Sequence, residues 1–318
     1  MGVHETEASP ALVDLIPYRA VGAAIAGCAC LALSPLAGFR FAWGPLFAAS
    51  AGVALLLSVS VVYDRLRRGP RIAAVFGSLG LWIAVSIIWG LLSSVALGLG
   101  LPLQDANLAA LDRALGIDHR AIVTFVARSP AFCAFLGLVY FCAVPLMLAL
   151  ATALPAFGQF ERARRMLNDS ALLMAITIVI SALVPAGGSF VHLPYPSSVL
   201  AALPPDAGMM HFLRFEALRD GTFRVLDPTQ IEGLATFPSY HVAMAFIVAR
   251  ALWGLPWLGA AGAVFAGVTI LSTLPIGGHY VVDILATCVL YLMFCIRWQK
   301  QSRTTRASPQ LHTSLAKV

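Results

Sequence analysis

The sequence predicts an all-α polytopic membrane protein with about eight transmembrane helices, and three observations support this fold class. Hydrophobic residues make up 59% of the 318 residues, whereas charged residues make up only 11%. Soluble domains carry about 25% charged residues, so this chain has too few to cover a water-facing surface. The mean hydropathy of +0.85 agrees, and the apolar residues fall into long runs separated by short polar segments.

The apolar runs approach or exceed the roughly 20 residues that a membrane-spanning helix needs. The eight predicted spans cover residues 18–37, 43–63, 72–98, 131–154, 170–187, 238–257, 259–277 and 279–297. Breaks between the last three are predicted at the turn residues 254–256 and at Gly277-Gly278. We therefore expect a single membrane domain over 1–318, with a flexible N-terminus at 1–14 and a flexible tail at 299–318.

Basic residues mark alternate loops between the predicted spans. Four arginines lie within 64–71 and three within 161–165, and the tail after the last span carries more. By the positive-inside rule these segments and both termini are cytoplasmic. The longer segments at 99–130 and 188–237 then lie on the opposite face. The richness in Ala, Gly and Arg favours a bacterial inner membrane, with that opposite face periplasmic.

The net charge of +6 does not indicate nucleic-acid binding, because the charges sit in short loop clusters. The six cysteines all lie inside apolar runs and form no CxxC pair, so neither disulfides nor a thiolate metal site is expected. Within 103–127, Leu108, Leu111, Leu115 and Ile122 recur near helical spacing. They predict a short amphipathic helix on the membrane surface, with Asp118 as a plausible N-cap.

Two polar stretches stand out from the apolar background, and together they define the catalytic region at 233–290. The first, 236–241, opens span six and contains Ser239 and His241. The second, 272–283, closes span seven, opens span eight and contains His279 and Asp283. Span six leaves the non-cytoplasmic face and span seven returns to it. We therefore expect His241, His279 and Asp283 at one depth, near the outer ends of adjacent helices.

These residue types suit chemistry on a phosphate. His279 and Asp283 are four residues apart and share a face if they lie on a helix. A carboxylate on one imidazole nitrogen fixes the tautomer and leaves the other nitrogen to attack, while a second imidazole, His241, protonates the departing oxygen. Free N–H groups at a helix start, with the Ser239 hydroxyl, form an anion site. Gly278 allows the backbone to approach a ligand closely.

The motifs Pro238-Ser239-x-His241 and Ser272-x6-His279-x3-Asp283 resemble those of the type 2 phosphatidic acid phosphatase superfamily. The form in this chain looks closest to the inositol phosphorylceramide synthase-like branch. The resemblance implies a six-helix phosphatase-type core and a phosphohistidine route without a cofactor. His279 would be the nucleophile, Asp283 its orienting partner and His241 the acid, with Ser239, Ser272 and Gly278 at the phosphoryl oxygens.

The chain departs from the family pattern in two places. Thr273 stands where the superfamily has an arginine, and the motif Lys-x6-Arg-Pro is missing before span six. Phosphoryl transfer relies on positive charge against the phosphoryl oxygens. We therefore expect an arginine of the segment 214–224 to supply it, with Arg219 favoured and Arg214 second.

The leading hypothesis is an integral membrane enzyme that cleaves a lipid phosphate or phosphodiester and transfers the group to water or to an alcohol such as inositol or another headgroup. Two other classes stay open. A metal-dependent hydrolase would need ligand spacing, such as HxxxH or HExxH, that the sequence lacks. A lipid transporter or flippase would usually place polar groups at the bilayer midplane, whereas here they cluster at one end. The oligomeric state is left open.

Overall fold

The computed structural model describes residues 17–66, 69–205 and 207–307, and these residues are mainly helical. In chain order the α-helices are α1 (Tyr18–Ala32), α2 (Trp43–Arg65), α3 (Pro70–Gly98), α4 (Asp105–Ala114), α5 (His119–Ala127), α6 (Pro130–Ala156), α7 (Phe160–Leu183), α8 (Ser189–His192), α9 (Ser197–Ala202), α10 (Phe212–Arg219), α11 (Tyr240–Leu252), α12 (Leu258–Ser272) and α13 (Val281–Ala307). Two short strands, β1 (Arg40–Phe41) and β2 (Val225–Leu226), pair in parallel. They join the connection after α1 to the long segment before α11.

Eight of these helices occupy the eight predicted spans. By length and composition α2, α3, α6 and α7 can cross a membrane, and α1, α11, α12 and the Val281–Cys295 part of α13 are shorter apolar helices. The all-α membrane fold class is thereby confirmed. The predicted flexible N-terminus at 1–14 lies outside the described residues, and so does 308–318 of the predicted tail. Residues 299–307 of that tail instead continue α13.

The fifth span begins ten residues earlier than predicted. The sequence interpretation gave the basic cluster at 161–165 to a loop, but α7 begins at Phe160. Arg164 and Arg165, three and four residues after Glu161 on the same helix, each pair with it at 2.6 Å. Side chains at these spacings are neighbours on a helix surface, so the charged cluster extends the helix rather than ending it.

The predicted surface helix at 103–127 is two helices, α4 and α5, separated by a turn in which Gly116 has a φ of +74°. Asp118 does cap α5, since its carboxylate accepts a 3.0 Å hydrogen bond from the Ala121 N–H. Leu111 and Leu115 are exposed, as expected for a surface helix, but Leu108 is buried. The segment therefore has an inner face that contacts the rest of the protein.

The bundle that carries the candidate site consists of α3, α6, α7, α11, α12 and α13, which pack against one another. Its core between α6, α7 and α11 is built from small and flexible side chains such as Ala143, Met147, Ala243 and Ile247. Helix α1 packs on α3 and α7, and α2 packs mainly on α3 with no buried residue of its own. Small side chains let the helices of the bundle approach closely.

Candidate active site

His279 and Asp283 form a buried hydrogen-bonded pair at the start of α13. The Nδ1 atom of His279 lies 3.1 Å from Oδ2 of Asp283. His279 lies in the loop just before the helix, whereas the sequence interpretation placed both residues on it. The pairing persists because Asp283, in the first turn, reaches back and also accepts a 2.9 Å hydrogen bond from the Tyr280 N–H. An acidic residue at this position commonly closes a helix start in this way.

Ser239 contacts the other nitrogen of the same imidazole. A carboxylate only accepts hydrogen bonds, so Nδ1 of His279 carries a proton and donates the hydrogen bond to Asp283. The other ring nitrogen, Nε2, is then unprotonated and has a lone pair. The Ser239 hydroxyl lies 3.1 Å from Nε2 and donates to it. Ser239 is fully buried, and it is the N-cap residue of α11. The pair therefore presents Nε2 at the point where α11 begins.

His241 lies in the first turn of α11 and faces the same cavity as His279. Its ring stacks on Tyr140 of α6, with ring centroids 3.9 Å apart and planes 18° apart. The cavity has a volume of about 260 Å³, and its lining includes both histidines, Gly277 and Thr236. On one side it is lined by Phe141 and Val144 of α6, which are also exposed on the apolar surface of the bundle. The two imidazoles thus meet at one end of the helix bundle.

Helix α4 holds the loop that carries His279, which we call the catalytic loop (273–280). Both carboxylate oxygens of Asp112 accept 2.9 Å hydrogen bonds, one from the Val281 N–H and one from the Val282 N–H. Asp105 accepts from the N–H groups of Gly187 and Gly188 at 2.9 Å. Its Oδ1 also accepts a 3.1 Å hydrogen bond from the Tyr280 hydroxyl. Buried carboxylates are stable where such donors surround them.

His119, the first residue of α5, holds the catalytic loop from the same side. Its Nε2 lies 2.7 Å from the backbone carbonyl oxygen of His279, which can only accept, so Nε2 donates. Nδ1 therefore accepts from the Tyr195 hydroxyl, 2.6 Å away. Burial lowers the pKa of His119 below its ordinary value of 6.5. Burial also raises the pKa of Tyr195 to about 12, so its hydroxyl keeps the proton that it donates.

Close backbone contacts complete the support of the catalytic loop. The Ser189 N–H donates to the Gly278 carbonyl oxygen at 2.7 Å, and the Gly208 N–H donates to the Ile276 carbonyl oxygen at 2.7 Å. Gly188 has a φ of +97°, and a Cβ atom there would lie 2.9 Å from the Gly278 oxygen. Only glycine combines this backbone conformation with this approach. The segment between α7 and α11 thus packs against the catalytic loop.

The proposed phosphate ligands are distributed unevenly around the cavity. Gly277 lines it, whereas Gly278 has a φ of +68° and binds Ser189 through its carbonyl group. Ser272 is buried, and its hydroxyl donates to the Thr269 carbonyl oxygen at 2.7 Å. Neither Ser272 nor Ser239 is among the residues that line the cavity, but Ser239 contacts His279, which does line it. The structure therefore brings Ser239 to His279 but leaves Ser272 engaged within α12.

The two favoured arginines have partners away from the cavity. Arg219 donates to the Leu101 carbonyl oxygen at 2.9 Å. Arg214 donates to the Gln230 side chain at 3.2 Å and lies over the Phe223 ring, with its Cζ 4.6 Å from the ring centroid. Within the described part of the chain, no arginine or lysine lines the cavity. Positive charge at a bound phosphate has to come from other groups in this arrangement.

The sequence analysis did not identify several residues that shape this site. His211 lines the cavity, and its Nδ1 lies 3.0 Å from Glu232. Asp105, Asp112 and His119 were assigned to a surface helix, although they are buried against the catalytic loop. One signal was available, because acidic residues at 105 and 112 are seven apart and lie on the same helical face as the apolar Leu108. Their partners, more than 80 residues away, were not visible in the sequence.

Other features of the described residues lie elsewhere. A larger cavity of about 740 Å³ lies at the opposite end of α11, next to Arg250, which pairs with the buried Asp169 at 3.1 Å. In the described residues no group of three or more His, Cys, Asp or Glu side chains is placed to hold a metal ion. The six cysteines are free. The convergence of His241, His279 and Asp283 is therefore the feature on which a function can be built.

The fold and the site together define a helical membrane protein with a histidine–aspartate pair and a second histidine at one end of its bundle. The family model described as the PAP2 superfamily matches residues 106–296, which include α4 and α5 as well as both histidine motifs. The chain belongs to the PAP2 superfamily. Members are generally phosphatases or phosphotransferases, and membership supports a phosphatase-type function. Comparison with curated proteins found no match, and comparison with solved structures found none.

Proposed function

We propose that this chain is an integral membrane lipid phosphatase or phosphotransferase that works through a phosphohistidine on His279. The observation that carries the proposal is the buried pair in which Asp283 holds Nδ1 of His279 and leaves Nε2 unprotonated. A histidine nucleophile needs one nitrogen oriented and the other unprotonated. Ser239, the N-cap residue of α11, contacts that nitrogen, and His241 in the first turn lines the same cavity as His279, which supports the same assignment.

In the first step Nε2 of His279 attacks phosphorus, and the bond from phosphorus to the leaving alcohol oxygen breaks. The proton on Nδ1 stays between His279 and Asp283, where the carboxylate stabilises the charge that the ring gains. His241 gives its proton to the departing oxygen, so that a neutral alcohol leaves. The Ser239 hydroxyl, released from Nε2, then donates to a phosphoryl oxygen.

In the second step water or an alcohol takes the phosphoryl group from His279. The incoming oxygen attacks phosphorus from the side that the leaving group vacated, where His241, now neutral, accepts its proton. The phosphorus–nitrogen bond breaks, and its electron pair returns to Nε2. Hydrolysis and headgroup transfer therefore share every residue of the site. The inositol phosphorylceramide synthase-like branch would make the acceptor an alcohol.

Backbone N–H groups at the start of α11 are the proposed partners of the phosphoryl oxygens. The N–H groups of the first helical turn lack partners within a helix, and the helix dipole favours an anion there. The equivalent groups of α13 are already bound to Asp112. The start of α11 supports phosphate binding for this reason, with Gly277 beside it. Arg219 and Arg214 would contribute only after leaving their present partners.

The proposed substrate is a membrane lipid phosphate or phosphodiester. The cavity reaches from the exposed apolar face of α6, at Phe141 and Val144, to the polar side chains of His241 and His279. This gradient fits a molecule with an apolar body and a phosphate head. The basic clusters at alternate ends of the spans support cytoplasmic termini and a site on the opposite face, and the richness in Ala, Gly and Arg supports a bacterial inner membrane, which makes that face periplasmic.

The test uses the full-length protein in liposomes with a panel of lipid phosphates and phosphodiesters. Phosphate release, headgroup release and headgroup exchange are measured for wild type and for His279→Ala. We expect His279→Ala to lower kcat by at least about a thousandfold, the scale for a nucleophile that acts within a unit. The variant His192→Ala, an exposed histidine of α8, is the matched control.

Trapping the phosphoenzyme separates this mechanism from the alternatives. Acid-labile, base-stable phosphate bound to wild type but not to His279→Ala supports the histidine intermediate. Full activity of His279→Ala would remove the assignment. Activity that chelators abolish would favour the metal-dependent hydrolase, and lipid movement across the bilayer without bond cleavage would favour the transporter.

A further inference from the structure

A second cavity borders the catalytic loop from the side of α4 and α5. Its volume is about 490 Å³, and we call it the surface cavity. Three of its lining residues, Asp112, His119 and Tyr280, also hold or belong to the catalytic loop. The turn between α4 and α5, at Gly116, also lines the surface cavity. Whatever binds in the surface cavity therefore touches the support of His279 directly.

Two arginines supply the positive charge of the surface cavity. Arg113 and Arg120 line it, both are exposed, and neither makes a hydrogen bond or ion pair within the described residues. Two carboxylates also line it, but each has donors of its own. Asp112 binds the first two N–H groups of α13, and Asp118 caps α5. The two guanidinium groups are the donors left for a ligand, and a tetrahedral oxyanion matches their fork of N–H groups.

The segment that carries the two arginines also exposes large apolar side chains. Leu111 on α4, Leu115 just after α4 and Phe125 on α5 are exposed by 53%, 56% and 68%. Exposed large apolar side chains beside basic ones are typical of a helix that lies at the boundary of lipid headgroups and acyl chains. A ligand that suits both the arginines and this boundary has an anionic headgroup and an apolar tail.

We infer that the surface cavity is a second lipid site, which binds the oxyanion headgroup of an anionic membrane lipid between Arg113 and Arg120. The bound headgroup bridges the C-terminal end of α4 and the N-terminal end of α5. The turn at Gly116, with its φ of +74°, is thereby fixed. Asp112 and His119 lie on either side of this turn, so the bound headgroup also fixes the distance between these two residues.

The consequence, which rests on the proposed phosphohistidine function, is activation by anionic lipid. Asp112 holds the start of α13, and His119 holds the carbonyl group of His279. A ligand that binds the supported arrangement more tightly than an opened one raises its population. Turnover then depends on the lipid around the protein as well as on the substrate. This site is distinct from the cavity that His241 and His279 share.

The experiment uses a substrate and an effector that do not compete in the bilayer. The full-length protein is placed in phosphatidylcholine liposomes, and a water-soluble chromogenic phosphate ester is the substrate. A sulfate-headed glycolipid is the effector, because its headgroup is a tetrahedral oxyanion but carries no phosphorus to transfer. The ratio of kcat/KM with and without about 20 mol% effector is measured for wild type, Arg113→Gln, Arg120→Gln and Arg128→Gln.

We expect a ratio of about five for wild type, within the usual range of coupling between two sites. Arg113→Gln and Arg120→Gln should bring the ratio close to one. Arg128→Gln removes the same charge from an exposed arginine next to α5 that does not line the surface cavity, and it should respond as wild type does. Retention of the sulfolipid through detergent purification, counted by native mass spectrometry, should fall in the two cavity variants alone.

If Arg113→Gln, Arg120→Gln and Arg128→Gln all gave the same kcat/KM ratio, the second site would be overturned. General surface charge would then explain the activation by sulfolipid. A wild-type ratio of one with equal lipid retention in all variants would overturn the second site as well. Failure of the proposed function gives a different result. Wild type would then release no product from the chromogenic ester or from any lipid, while sulfolipid retention would still differ between Arg120→Gln and Arg128→Gln.

Discussion

His119 donates a 2.7 Å hydrogen bond from Nε2 to the backbone carbonyl oxygen of His279, across a sequence separation of 160 residues. Main-chain hydrogen bonds to a loop residue fix its φ and ψ angles, and hence the direction of its side chain. The segment that the sequence assigns to the membrane surface thus supports the candidate active site. Predictions about this support and about the proposed chemistry follow from the same contacts.

The carboxylate of Asp283 should matter for its charge and for the tautomer that it imposes. Asp283→Asn keeps the shape of the side chain, but an amide group can turn its N–H₂ toward Nδ1 and place the imidazole proton on Nε2. We expect kcat to fall by at least about a hundredfold, because the attacking nitrogen is then blocked. The exposed Asp220→Asn is the control. Stopped-flow or steady-state phosphate release measures the effect, and a loss below threefold would contradict the pairing's proposed role.

Removal of the Asp112 carboxylate should destabilise the start of α13. Asp112→Ala leaves the partly buried Val281 and Val282 N–H groups without this acceptor, which costs up to about 1–3 kcal/mol. Asp112→Asn keeps one acceptor oxygen and should fall between wild type and Asp112→Ala. Thermal unfolding in detergent gives the order of the three Tm values. If Asp112→Ala unfolds at the wild-type temperature, the interaction does not stabilise α13.

The two arginines favoured from the sequence should have little effect on substrate phosphate. Arg219 binds the Leu101 carbonyl oxygen and Arg214 binds Gln230, and neither lines the cavity of His279. We therefore expect KM to stay within about threefold of wild type in Arg219→Ala and in Arg214→Ala, since exposed contacts contribute little. A tenfold rise in KM for either variant would instead support the sequence prediction, and would mean that the arginine moves on substrate binding.

Stability should fall on acidification through His119. Burial lowers its pKa below 6.5, whereas the hydrogen bond to the His279 carbonyl oxygen and the nearby carboxylates of Asp112 and Asp118 act against this shift. The unfolded chain therefore binds the proton more tightly than the folded chain. The stability that depends on neutral His119 is complete above about pH 6.5 and decreases as the pH falls below that value. We therefore expect the stability of the folded protein to decrease as the pH falls below about 6.5.

The measurement compares Tm at about pH 7.5 and about pH 5.5 in wild type, His119→Gln and His192→Gln. Wild type and His192→Gln should lose the same amount of Tm on acidification, because His192 is exposed. His119→Gln should lose less, since glutamine does not titrate. An equal loss in all three proteins would show that His119 is not responsible for the acid sensitivity.

The sequence alone determined the membrane fold class and most helix positions. Apolar runs of span length have to be helices in a bilayer, because lipid offers the backbone no hydrogen-bond partners. It misplaced the start of α7, since charged residues at 161–165 were read as a loop. Helical Glu–Arg pairing at short spacing was the competing effect there. The break between α4 and α5 at Gly116 was not predicted, although the sequence did indicate Asp118 as the N-cap that begins α5.

For the site, the sequence supplied His241, His279 and Asp283, because their side chains stand out in otherwise apolar runs at matching ends of three spans. Only the tertiary structure decided what surrounds them. The hydrogen bonds from His119 and to Asp112, and the placement of Arg219 away from the cavity, join segments more than 100 residues apart. Short-range periodicity carries no information about such contacts, because they depend on how whole helices pack against one another.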